Sequence, residues 1–154
     1  MRLRCSHGYR WDCTTDHGVG RGCCGSHATT NDIRSPERLY AEAYPGNWFD
    51  ARMVQTGCYA GIWHGDALVA TAGIHIVSER EGVAGLGNVT SHPRVRDRGY
   101  ARQVCARLLR HLDALKIAHI GLNVAAGNAR AQQVYAVVGV CASGVVPRGA
   151  VGVR

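Results

Sequence analysis

One glycine, Gly99, lies where the main chain could bind an anion. It follows a β-like run that ends at Ser91 and precedes a helical pattern that begins at Ala101. The N–H groups in the first turn of a helix lack intrahelical acceptors, and a tight turn beside them can form an anion cradle. Arg96 and Arg98 flank the glycine and could add charge-assisted hydrogen bonds. The spacing therefore predicts a small phosphate-binding loop rather than an extended basic surface.

A second group of residues stands further along the chain, between two helix-boundary signals. Asn128 is a favourable N-cap for a helical pattern, and Gly139 is a favourable residue for its C-terminal end. Tyr135 lies on the inner face of this helix with Val134 and Val138. At helical spacing a core aromatic is the ordinary interpretation of such a tyrosine, so its pattern alone assigns it no chemistry.

The elements that precede the loop follow from local patterns. A short helix is predicted from Ser35 to Tyr44, with Pro36 in its first turn, and a helical turn over 51–55. Three strand-like runs then follow one another with short turns between them, which is typical of an antiparallel meander: residues 58–63, 67–77 and 83–91.

After the loop the apolar period changes from two residues to 3.6. The pattern predicts a helix over 101–115, a strand over 117–124, a helix from Asn128 to Gly139 and a last strand over 140–146. The expected class is therefore α+β, in the order α-α-β-β-β-α-β-α-β. A strand–helix–strand crossover added to a meander gives a mixed, mainly antiparallel sheet flanked by helices.

Taken together, the two motifs resemble those of the GCN5-related N-acetyltransferase (GNAT) family. The loop Arg96-x-x-Gly99-x-Ala101 follows His92-Pro93 and opens a helix, as in that family. The segment from Asn128 through Tyr135 to Gly139 is similar to the family's Asn-x-x-Ala-x-x-x-Tyr-x-x-x-Gly. The resemblance covers about residues 35–146 and implies a GNAT-like fold and acetyl-CoA as cosubstrate. No metal is expected.

The resemblance also implies roles for individual residues. The strand end would pair with the pantetheine arm of acetyl-CoA, the loop would hold its pyrophosphate, and the N-cap would contact the arm or cap its helix. These implied cofactor-binding residues are Val89, Thr90, Ser91, Arg96, Asp97, Arg98, Gly99, Tyr100, Ala101 and Asn128.

The implied reaction is direct attack of an amine on the bound thioester. Tyr135 would act as general acid for the departing thiolate. His92, at the strand end, is a candidate general base, and His75, Glu79 and Glu81 are further candidates among which the sequence does not choose. Trp48, Phe49 and Tyr59 either form the wall of an acceptor pocket or are ordinary core aromatics.

Composition bounds the remaining possibilities. The net charge of +7 comes almost entirely from arginine, which suits an anionic ligand. A nucleic-acid binder is the weaker interpretation, because the arginines at the helix start have no interleaved aromatic platform. No apolar run approaches the roughly 18 residues of a membrane span, and no signal-peptide pattern is evident, so a cytoplasmic protein without membrane or nucleic-acid partners is expected. A homodimer is left open.

The two ends of the chain depart from the family pattern. Residues 1–31 are rich in Cys, His and Gly and are expected to be loop or disordered, with spacings that do not suit zinc. Residues 32–146 form the expected acetyl-CoA-binding domain, and 147–154 a tail. The expected function is an N-acetyltransferase acting on an amine; the alternative is an acetyl-CoA-binding protein with altered ends and little or no turnover.

Overall fold

The computed structural model describes residues 12–14 and 30–140. In chain order its main elements are β1 (Asp12–Thr14), α1 (Thr30–Ala43), a 3-10 helix (Ala51–Thr56), β2 (Tyr59–His64), β3 (Ala67–Ser78), β4 (Val83–Ser91), a 3-10 turn (Pro93–Val95), α2 (Tyr100–Ala114), β5 (His119–Leu122) and α3 (Ala129–Val137). Within these ranges, no helix is both long enough and apolar enough to cross a membrane.

The strands form one five-stranded sheet in the order β1-β2-β3-β4-β5. The central three strands are antiparallel neighbours, whereas β1 pairs with β2, and β5 with β4, in parallel. The predicted meander and the parallel crossover through α2 are both present. The α+β class and the mixed sheet flanked by helices are therefore confirmed.

Helix α2 packs its apolar stripe against one face of the sheet. The fully buried side chains of Val104, Leu108 and Leu112 belong to the same core cluster as Ile62 of β2 and Ile74 of β3. Removing the side chain of a buried leucine such as Leu108 by substitution with alanine typically costs about 2–5 kcal/mol of stability. Packing on the sheet therefore holds the N-terminus of α2 in place.

The N-terminal part differs from the expectation. The sequence pattern indicates a loop over 1–31, but Asp12–Thr14 pairs with Ala60–Ile62 of β2. Only main-chain pairing with a strand far along the chain defines β1, so a local pattern does not reveal it. Helix α1 begins at Thr30 rather than Ser35, and it continues through the buried Pro36.

The C-terminal helix ends as its sequence predicts. Gly139 has φ +87, its N–H bonds the carbonyl of Ala136, and the N–H of Val140 bonds that of Tyr135. This is the Schellman arrangement, which requires a left-handed residue at that position. The expected last strand, apart from Val140, and the tail lie outside the described residues, as do the expected disorder and most of the Cys/His cluster near the N-terminus.

Candidate active site

The pairing of β4 with β5 ends partway along β4, and we call the space beside the unpaired edge of β4 the groove. The parallel pairing runs from Val83 with His119 to Leu86 with Leu122 and stops there. Beyond that point β4 continues through Ser91 and stays paired with β3 on its other side. Within residues 12–14 and 30–140, no strand pairs with the β5-facing edge of residues 87–91. Its main-chain groups can therefore pair with an extended, amide-containing ligand.

The loop between β4 and α2 has main-chain geometry suited to binding an anion, and we call it the cradle. Asp97 and Gly99 both have positive φ, 64° and 76°, and Gly99 is the N-cap of α2 without a side-chain cap. Such a turn directs successive N–H groups to one side, beside the positive end of the helix dipole. Arg96 and Arg98 are exposed on the same loop.

Tyr100 takes a different position from the rest of the predicted loop. Its side chain is 3% exposed and belongs to the core, and its hydroxyl lies 3.0 Å from Nε2 of His64. This contact ties the first residue of α2 to the end of β2. Any contact of Tyr100 with a ligand in the groove therefore comes from its main chain, and the side chain has an anchoring role.

The structure brings the two predicted motifs together. The carboxylate of Asp97 in the loop pairs with the guanidinium of Arg130 in the first turn of α3, at 3.3 Å. Both side chains are largely exposed, so this pair adds little to stability, but it shows that the two helix N-termini lie close together. Sequence reasoning missed Arg130, which adds a positive charge beside the cradle.

Asn128 and Tyr135 lie on the α3 side of the site. The Asn128 Oδ1 accepts the N–H of Ala131 at 3.1 Å, which confirms its N-cap role. Tyr135 is half-buried against the core that contains Cys105, and burial, with Cys105 as a lesser cause, raises the pKa of Tyr135 to about 12. No described residue hydrogen-bonds to its hydroxyl, so the hydroxyl can serve a ligand as donor.

One side-chain polar group at the end of β4 lacks a hydrogen-bond partner among the described residues. The Oγ of Ser91 is buried and has no hydrogen-bond partner among the described residues. A buried polar group without a partner costs free energy, but this Oγ is closed to solvent and therefore gives no direct evidence of a ligand. The free strand edge and the cationic loop together fit a molecule with an extended amide arm and a pyrophosphate.

The four candidate bases occupy different positions. His92 caps the 3-10 turn: its Nδ1 accepts the N–H of Arg94 and its Nε2 lies 3.1 Å from Glu42. Arg38 most strongly, and His92 less so, lower the pKa of Glu42 below its usual range. With both ring nitrogens engaged, His92 has a structural role at the strand end.

Of the other three candidate bases, one lies beside the groove and two lie away from it. The His75 ring lies over Gly87, because a Cβ added to Gly87 would collide with it. Gly87 is the first residue of β4 beyond its pairing with β5, so His75 lies at the fork of the groove. Partial removal from water lowers the pKa of His75 below its ordinary value. Glu79 and Glu81 lie in the turn before β4, at the opposite end of that strand.

On the α1 side of the sheet is a second concavity of about 200 Å³. It is lined by α1 and the loop after it: Glu37, Tyr40, Ala41, Tyr44, Pro45, Asn47 and Phe49. Of the predicted aromatics, Phe49 lines this cleft and Trp48 is 73% exposed, whereas Tyr59 is a core residue. The Nδ2 of Asn47 is buried there without a partner among the described residues.

Comparison with known proteins gives a consistent family and fold. A family model described as the acetyltransferase (GNAT) family matches residues 27–140. A structure described as a GNAT acetyltransferase from Novosphingobium aromaticivorans is 22% identical with a TM-score of 0.60, and the match covers 73% of this chain and 49% of that one. This chain thus spans about half the length of that protein. The sequence matches no curated protein.

Two further structures have similar folds. The ribosomal-protein-S18-alanine N-acetyltransferase of Escherichia coli is 21% identical with a TM-score of 0.59, and the match covers 74% of each chain. A Mycobacterium tuberculosis protein in complex with CoA is 16% identical with a TM-score of 0.56, and the match covers 71% of this chain and 66% of that one. At these identities the likeness shows the fold.

Proposed function

The chain belongs to the acetyltransferase (GNAT) family, and on that premise we propose that it transfers the acetyl group of acetyl-CoA directly to an amine. One observation carries the proposal: the unpaired edge of β4 at Val89–Ser91 leads to the turn before α2, where Asp97 and Gly99 have positive φ. Acetyl-CoA has an extended arm with amide groups, followed by a pyrophosphate. The unpaired strand edge would bind the arm, and the loop next to it would bind the pyrophosphate.

In this proposal the cofactor-binding residues divide into two sets. The main chain of Val89–Ser91 aligns the pantetheine arm, and Asn128, at the start of α3, faces it from across the groove. The N–H groups of the loop and of the first turn of α2 bind the pyrophosphate, with Arg96 and Arg98 adding charge. Holding two reactants in register in this way can lower the barrier by about 7–11 kcal/mol.

Tyr135 is the proposed proton donor to the leaving sulfur. Acetyl-CoA supplies a thioester, whose cleavage by the amine releases a thiolate. Because burial raises the pKa of Tyr135 to about 12, its hydroxyl stays protonated at neutral pH. A positioned general acid of this kind contributes about 10²–10⁴ in rate.

His75 is the better placed of the two histidines to receive the amine proton. It lies at the fork of the groove, and its lowered pKa keeps it unprotonated at neutral pH. His92 instead uses both nitrogens in its contacts with Arg94 and Glu42. We expect His75→Gln to lower kcat by about 10–100-fold and to remove the acid limb of the pH–rate profile, which lies below about pH 6.5.

His92→Gln is the matched variant for this test. It should leave the acid limb in place and change mainly the thermal midpoint. If His92→Gln abolished the acid limb and His75→Gln did not, the assignment of the base would be reversed.

Two measurements on the purified chain test the proposed function. Calorimetric titration with acetyl-CoA should show saturable binding at one site per chain. Thiol release should then depend on an added amine, tested with a panel of small amines, peptides with free N-termini and peptides with a lysine. Binding without thiol release from any amine would favour the acetyl-CoA-binding alternative, and an absence of binding would contradict both.

A further inference from the structure

Asn88 interrupts the regular geometry of β4 at the point where the groove opens. It has φ +52, in the left-handed region that a non-glycine residue seldom occupies. The β3–β4 register shifts by one residue between the pairs Thr71–Thr90 and Gly73–Gly87, so Asn88 lies in a β-bulge. The last residue of β4 paired with β5 is Leu86, two positions earlier. The bulge and the end of the β4–β5 pairing therefore coincide.

Two buried tyrosines hold this bulge. The hydroxyl of Tyr40, on α1, donates to the Asn88 carbonyl at 2.7 Å. The Asn88 side-chain amide donates to the Tyr59 hydroxyl of β2 at 3.0 Å and to the Met53 sulfur at 3.2 Å. Tyr40 and Tyr59 are 3% and 5% exposed. Both the main chain and the side chain of Asn88 are therefore fixed by elements outside the β3–β4 ladder.

The two tyrosines are themselves fixed through a third ring. Phe49 lies between them, with ring centroids 4.8 Å from Tyr40 and 6.2 Å from Tyr59. Aromatic pairs at these separations are favourable beyond simple burial. Helix α1, the loop after it and β2 thus converge on one residue of β4 through a packed aromatic unit.

We propose that Tyr40, Asn88 and Tyr59 form a clamp that sets the geometry of the CoA groove. By holding Asn88 at positive φ, the clamp turns the following residues, Val89–Ser91, so that their main-chain groups face the bound arm. The three residues are positioning residues and need not touch the reacting atoms. The inference rests on the proposed function, because it assigns the groove to CoA.

The clamp requires a residue at position 88 that both adopts positive φ and donates side-chain hydrogen bonds. Asparagine tolerates left-handed geometry better than most residues, and glycine adopts it freely. Asn88→Gly should therefore keep the bulge while losing the amide contacts, whereas Asn88→Ala loses the contacts and also disfavours the backbone conformation. We expect affinity for CoA to fall in the order wild type, Asn88→Gly, Asn88→Ala, with the last about tenfold weaker than wild type.

A comparison of Tyr40→Phe with Thr56→Val in the full chain tests the clamp. Each variant removes one hydroxyl: that of Tyr40 bonds β4, whereas that of Thr56 bonds Met53 and Cys58 within and just after the 3-10 helix. CoA affinity is measured by calorimetry and amide exchange of the peptide containing residues 87–92 by mass spectrometry. Tyr40→Phe should weaken CoA binding and speed that exchange, each by about five- to tenfold, and Thr56→Val should change neither.

The outcomes separate the clamp from the function on which it rests. If wild type binds CoA and Tyr40→Phe behaves like Thr56→Val in both measurements, the clamp is overturned and the proposed function stands. If wild type does not bind CoA, the proposed function fails and the role of the clamp in a CoA groove fails with it. Should Tyr40→Phe not fold, the two Asn88 variants decide: weaker CoA binding in the stated order supports the clamp, and wild-type affinity in both Asn88→Gly and Asn88→Ala would overturn it.

Discussion

The two sides of β4 use their polar groups in opposite ways. On the groove side, the Arg96 and Arg98 side chains are exposed, and the strand edge of residues 87–91 is unpaired among the described residues. On the clamp side, Tyr40 and Asn88 bind each other within a buried aromatic unit. The comparison indicates that one side keeps its polar groups available to a ligand, while the other uses them to fix the strand that presents them.

The largest effect should come from Tyr135, the groove-side residue assigned to proton transfer. Tyr135→Phe should lower kcat by about 100-fold or more, because the departing thiolate loses its proton donor. CoA affinity should stay within about twofold of wild type, because Tyr135 donates its proton in the transition state and not in the bound ground state. Steady-state kinetics and calorimetry check the two expectations, and an unchanged kcat would remove Tyr135 from the mechanism.

The next largest effect is expected at Gly99, where a control glycine distinguishes a loss of CoA binding from the cost of backbone strain. Gly99 and Gly65 both have positive φ, 76° and 59°, and a Cβ added to either meets nothing within 4 Å. Gly99→Ala and Gly65→Ala should therefore lose similar stability, about 1–2 kcal/mol. Only Gly99→Ala should weaken CoA binding, by about 50-fold, because its methyl group and altered turn disturb the cradle.

Thermal melts measure the stability of the two alanine variants, and calorimetry measures their affinity for CoA. Equal losses of CoA affinity would show that general destabilisation, rather than the cradle, governs binding.

A smaller effect should distinguish the loop arginines from the helix arginines. Arg96→Gln should weaken CoA binding by about tenfold, since it removes a charge-assisted contact with phosphate. Arg110, whose Nε bonds the carbonyl of Ala106 on the exposed face of α2, is the matched control, and Arg110→Gln should leave affinity unchanged. The loss in Arg96→Gln should diminish as salt is raised. Equal losses in both variants would indicate a diffuse charge effect.

The smallest effect concerns the clamp side at high pH. Burial raises the pKa of Tyr59 to about 12, whereas a tyrosine in the unfolded chain titrates near pH 10. Above about pH 10 the unfolded state loses this proton and the folded state keeps it, so stability falls as pH rises towards 12. Tyr59→Phe should reduce that fall by about 1 kcal/mol between pH 9 and 11, as measured by urea unfolding. If Tyr59→Phe had the same pH dependence of stability as wild type, the raised pKa of Tyr59 would be contradicted.

The groove side was the more predictable of the two because its signals are local. The left-handed Gly99, the Asn128 cap and the α2 stripe each follow from residues a few positions apart, and the structure confirms them. The roles of these residues towards CoA remain proposals. Asn88 offered a faint local signal, because it follows Gly87 and a glycine inside a strand often marks a bulge.

Other features could not be predicted because they depend on contacts between distant segments. The partners of Asn88, Tyr40 and Tyr59, lie 48 and 29 positions away along the chain. Strand β1 exists only through its pairing with β2, and the engagement of both His92 nitrogens depends on Glu42 of α1. Tertiary packing, rather than residue preference, decides each of these.

Hydrogen exchange of the full chain with and without saturating CoA tests the central claim most directly, because it locates the ligand without assuming an acceptor. Slower exchange confined to the end of β4 from residue 87, the loop 96–99 and the first turns of α2 and α3 is the predicted result. Unchanged exchange there, or protection centred on the cleft lined by Glu37, Tyr40 and Phe49, would contradict the assignment of the groove to CoA.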